Sequence, residues 1–96
     1  MHIGTARLAL HMAENGSLKD KRTVVRSVVQ RVRNKFNVAI AEVDTQDAWE
    51  LATLGIVCVS NDARHADEML AKVVAFIEGE RLDAEVGAVE VELISV

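Results

Sequence analysis

From Ile3 to Met12 apolar and polar residues alternate. Ala6, Leu8, Leu10 and Met12 fall on one face and Thr5, Arg7 and His11 on the other, which predicts a strand with one face in a core. From Leu18 to Lys35 the period lengthens. Leu18, Val25, Val28, Val29, Val32 and Phe36 recur at helical spacing within an arc of about 100°. The stretch "AENGS" supplies the intervening turn, and Ser17 with Asp20 resembles a capping box with Asp in place of Glu.

Two β-branched segments follow, "FNVAIAEV" (36–43) and "ATLGIVCVS" (52–60), and both read as strands with apolar residues on both faces. Between them "DTQDAWEL" is polar and long for a hairpin loop, and a helical turn is expected to start at Asp44. After "SND", Ala66, Met69, Leu70, Val73 and Ile77 share one helical face, with Gly79 as a natural C-terminal cap. The last strand, 85–94, alternates Val89, Val91 and Leu93 with Glu90 and Glu92.

The order βαββαβ is the split, ferredoxin-like arrangement of an α+β fold. It predicts a four-stranded antiparallel sheet in the order 4-1-3-2 with both helices on one face. The other face would meet water in a monomer. Val38 and Ile40, then Leu54, Ile56, Val57 and Val59, suggest an apolar open face, and such faces commonly meet a partner. A homo-oligomer joined through that face is the expectation.

Length and composition fit one folded domain over residues 1–96. Half of the chain is hydrophobic and 27% is charged, which excludes intrinsic disorder. Aromatic residues are few (Phe36, Trp49 and Phe76), so the core must rest on Val, Leu, Ile and Ala. The apolar run "LGIVCV" (54–59) is too short to span a bilayer, and the N-terminal residues lack the order of a secretory signal. With Cys58 as the single cysteine no internal disulfide can form, and a cytoplasmic protein is expected.

The net charge of −4 conceals a segregation of charge. Residues 17–35 carry seven of the eleven Lys and Arg against one acid, Asp20. Lys19, Arg22, Arg26 and Arg33 lie within about 60° on one flank of the helix, with Gln30 among them, while Lys21, Arg31 and Lys35 point elsewhere. Lys19, Lys21 and Arg22 also crowd the first turns, where the helix macrodipole disfavours cations by roughly 0.3–1 kcal/mol each. A solvated face would explain a mixed stripe, but acids are nearly absent here, so i,i+4 salt bridges do not account for it. A bound anion would, since free N–H groups at the helix start could join Lys19, Lys21 and Arg22 in holding a phosphate.

Other chemistries find little in the sequence. The central strands hold Arg7, His11, Ile56 and Cys58 but no aromatic residue, which disfavours base stacking of the RRM kind. His2, His11, His65 and Cys58 lack metal-ligand spacing, so no metal or other cofactor is expected. Cys58 reads as a small buried apolar residue. Glu42, Asp44 and Asp47 could hold magnesium, but no base or nucleophile accompanies them, and a polar loop with Asp44 as a cap is the plainer reading. Trp49 packs over a sheet edge or sits at an interface. Acylphosphatases share this fold, yet no glycine-rich phosphate loop follows the first strand, and fold alone transfers no activity.

"SLKDKR" (17–22), "RVRNKFNVAIAEVD" (31–44) and "QDAWELATLGIVCVSND" (46–62) together resemble the YlxP-like proteins, a small bacterial family of unknown function. The resemblance covers nearly the whole chain and implies the same βαββαβ fold. Genes of that family commonly neighbour those of a translation initiation factor and a ribosome-binding factor, which implies work around the ribosome. It implies no catalytic residues.

The resulting expectation is a non-enzymatic RNA- or ribosome-associated factor. It would engage phosphates through Lys19, Lys21, Arg22, Arg26, Arg31, Arg33 and Lys35 of the first helix. The alternatives are a regulatory module that binds a small anionic metabolite in an oligomer, or a pure protein-interaction domain.

Overall fold

The computed structural model describes residues 1–13, 16–80 and 83–96. The elements run β1 (His2–Met12), α1 (Leu18–Lys35), β2 (Ala39–Glu42), β3 (Leu51–Ser60), α2 (Ala63–Gly79) and β4 (Ala84–Ser95). The strands form one antiparallel sheet in the order β2-β3-β1-β4. Read from the other edge, this is the expected 4-1-3-2. α1 packs over β2 and β3, and α2 over β3, β1 and β4.

Strand alternation decides the core. Ala6, Leu8 and Leu10 of β1 stand beside Ile56, Leu54 and Ala52 of β3, and all six are buried against Val28, Val32, Ala66, Leu70, Val73 and Ile77 of the helices. Burial of such side chains contributes about 1.5–3 kcal/mol each for the larger ones. Cys58 belongs to this core, as its strand position suggests. Gly4 permits a close approach of α2 to the sheet: a β-carbon there would stand 2.9 Å from Leu70 Cδ1 and 3.1 Å from Cys58 Sγ.

Several local expectations are corrected. β2 is shorter than residues 36–43 because Phe36 closes α1, its N–H donating to the Val32 carbonyl. The Phe36 ring packs edge-on against Phe76 with centroids 5.6 Å apart. Val38 and Ile40 lean toward the core, as do Leu54 and Ile56. Leu54 and Ile56 thus leave the open face, which keeps Ile3, Val57, Val59 and Ile94 at one end and Val43 beside Gly55. Its apolar part is smaller than the sequence suggests.

The β2–β3 connection has no helical turn. Asp44 adopts a positive φ of 64°, and the Ala48 N–H bonds to the Thr45 carbonyl in a single tight turn. Trp49 is 37% exposed, with its ring close to Gly16. α2 begins at Asp62, whose side chain accepts from the Arg64 N–H. Gly79 is the last helical residue and has no positive φ, so the expected left-handed cap does not form. The "AENGS" turn falls partly on Glu14 and Asn15, which lie outside the described residues.

Candidate nucleic-acid interface

The capping box is formed in full. Ser17 Oγ accepts from the Asp20 N–H, and Asp20 Oδ2 accepts from the Ser17 N–H at 3.1 Å. An anionic side chain thus already occupies the helix start, using donors that a phosphate would need. The anion site expected at that terminus is corrected accordingly.

The seven cations of α1 separate into two groups. Lys21 leaves the surface altogether and is 0% exposed. Its Nζ donates to Glu42 Oε2 at 2.8 Å and to the Thr45 carbonyl at 2.6 Å, with the Gln46 and Leu51 carbonyls at 3.5 and 3.4 Å. Thr45 Oγ1 donates to the same Glu42 oxygen and accepts from the Thr53 N–H. Three donor protons meet a full set of acceptors, so Lys21 fastens the β2–β3 connection to α1 and is not free to bind a phosphate.

Helix geometry accounts for this. Lys21 precedes Val28 by seven residues and Val32 by eleven, which places it on the buried stripe rather than the charged flank. Its side chain leans toward the helix N-terminus, where the connection passes. The buried carboxylate and carbonyls offset the macrodipole that made the position unfavourable.

Arg31 pairs with Glu80 at 2.7 Å. Lys35 Nζ stands 4.9 Å from the centre of the Phe76 ring, a cation–π contact. Arg33 donates from Nη2 to the Ile40 carbonyl, a neutral partner, at 3.1 Å. Lys19, Arg22 and Arg26 are exposed, and among the described residues none of them forms a salt bridge. Together with Arg33 they form a stripe along α1 about 21 Å long, from a rise of about 1.5 Å per residue.

The acids of the connection are dispersed. Glu42 is held by Lys21, and Asp44 pairs with Arg7 across the open face at 2.6 Å. Among the described residues no three His, Cys, Asp or Glu side chains gather as a metal site would require. Among the described residues no helix is long and apolar enough to cross a membrane.

With this geometry in place, residues 3–91 match the family model described as a protein of unknown function, DUF503. The chain belongs to this family. It is also 41% identical over 76 residues to "Uncharacterized protein YlxP" of Bacillus subtilis (strain 168), which covers 79% of this chain and 83% of that protein. The DUF503 match spans both segments that meet around Lys21, "SLKDKR" and the residues from Glu42 to Leu51. Their meeting is structural: the first supplies the cation and the second its cage.

Proposed function

We propose that this DUF503 protein is a non-enzymatic RNA- or ribosome-associated factor that grips phosphates through Lys19, Arg22, Arg26 and Arg33. The observation that carries the reading is the exposed cationic stripe on a chain whose net charge is −4. Such a stripe steers a polyanion to one face while the acidic remainder repels it elsewhere. Binding of this kind reads charge and backbone spacing rather than base edges. The genomic setting implied by the YlxP resemblance agrees with a ribosomal partner. The metabolite alternative loses support, since the helix start is already capped by Asp20 and Lys21 is buried.

Fluorescence anisotropy with a labelled single-stranded RNA, and co-sedimentation with ribosomes, test the proposal over a salt series. Four phosphate contacts give a log–log slope of about −3. The variant Lys19→Glu/Arg22→Glu/Arg26→Glu leaves Arg33 and its Ile40 hydrogen bond intact, and it is expected to abolish association at physiological salt. Unchanged binding by this variant would end the assignment.

A further inference from the structure

β4 is the last strand of the sheet, twelve residues long (Ala84–Ser95), with one edge unpaired. Natural edges of this length are commonly blunted by charged side chains, Pro, bulges or brevity. β2, the opposite edge, has four residues, whereas β4 is long, has neither Lys nor Pro, and carries instead glutamates and a register irregularity opposite Leu8–Leu10.

Its two faces differ. Val89, Val91 and Leu93 stand opposite Leu8, Ala6 and Gly4 of β1, so they point to the helix side, where α2 should cover them. They are nevertheless 36%, 48% and 43% exposed. Glu90 and Glu92 stand opposite Arg7 and Thr5 on the open face. Arg7 is drawn across the sheet to Asp44, and among the described residues neither Glu90 nor Glu92 forms a salt bridge. Both acids wall a groove of about 560 Å³ on that face.

We propose that the free edge of β4 receives an extended segment of another protein in which apolar residues alternate with Lys or Arg. Main-chain hydrogen bonds would continue the sheet. The segment's apolar side chains would lie beside Val89, Val91 and Leu93, and its cations beside Glu90 and Glu92.

Charge argues against a second copy in the registers that bring the glutamates together at this edge. Directly opposed residues on antiparallel strands share a face. A self-pairing centred on Val91 therefore sets Glu90 against the partner copy's Glu92 twice over. Centring on Glu90 or Glu92 opposes that residue to itself. Like charges so placed are destabilising, whereas opposite charges favour pairing.

The test uses three labelled peptides on the intact chain: alternating Val and Lys, alternating Val and Glu, and a Val/Lys peptide of equal composition without alternation. The first is expected to saturate and to bind about tenfold or more tighter than the second, as two attractive cross-strand pairs replace two repulsive ones. Glu90→Lys/Glu92→Lys should reverse that order, and Glu90→Gln/Glu92→Gln should remove the preference if the Lys variant folds poorly. Hydrogen exchange on the complex should protect the amides of β4 and leave β2 unchanged.

Equal binding of the unpatterned peptide would overturn the proposal, reducing the effect to diffuse charge. So would protection mapped elsewhere, or a dimer by light scattering that Val91→Lys dissociates. Because these readouts involve no RNA, their failure is separate from failure of the α1 stripe.

Discussion

Lys21 and Arg22 are neighbours in sequence with opposite roles. The Lys21 ammonium is enclosed with Glu42, a pair whose side chains are 0% and 14% exposed, while Arg22 faces water. Removing one member of a buried pair leaves the other uncompensated, at a cost of about 3–5 kcal/mol. Lys21→Met should therefore lower stability by about that amount in urea unfolding. Arg22→Gln should stay within about 0.5 kcal/mol of the parent. Lys21→Arg should also destabilise, because a planar guanidinium does not match a cage made for a compact ammonium. RNA affinity is expected to divide the other way, weakened in Arg22→Gln and kept in the folded fraction of Lys21→Met.

Half of this was legible in the sequence. The offsets from Lys21 to Val28 and Val32 put it on the apolar stripe, although its charge invited a surface reading. Its partner was not legible. Glu42 lies 21 residues on, at the end of a strand whose register only the folded sheet defines.

At the scale of elements, hydrophobic periodicity was informative where an element buries one stripe. The bounds of α1 follow from its pattern and cap, and the inward face of β1 follows from alternation, whereas β3, apolar on both faces, did not reveal which face turns inward. It failed at the termini of elements, where backbone bonding decides. Phe36 looks like the start of a strand but closes α1, and Gly79 looks like a left-handed cap but stays helical. Patterning also could not tell that Val89, Val91 and Leu93, though facing the helix layer, would remain partly uncovered.

Two glycines make these element contacts testable. Gly4→Ala forces a β-carbon toward Leu70 and Cys58, and overpacking of this kind costs about 1–3 kcal/mol. Gly79→Ala meets nothing within 4 Å and lies in a helix at negative φ. It should gain a few tenths to about 1 kcal/mol. Thermal unfolding of the two variants should move in opposite directions. A Gly4→Ala protein as stable as the parent would mean that α2 sits further from β1 than described.

For the whole molecule, the question is whether net charge or its placement would govern the proposed polyanion binding. α1 lies over β2 and β3, and β4 is the opposite edge of the sheet. With strands about 4.8 Å apart, β2 and β4 are separated by roughly 14 Å, beyond the Debye length of about 8 Å at physiological ionic strength. Two variants make equal and opposite charge changes at these separate places. Arg22→Gln/Arg26→Gln makes the molecule two units more negative, and Glu90→Gln/Glu92→Gln makes it two units more positive. If placement governs, the first should weaken RNA binding at least tenfold in 0.15 M salt, and should flatten the log–log salt slope by about 1.4, or 0.7 for each lost contact. The second should leave affinity within about twofold and the slope unchanged, because no phosphate contact is gained or lost. A symmetric response, with affinity rising for the second variant as much as it falls for the first, would show that the stripe has no special role and that overall charge sets the interaction.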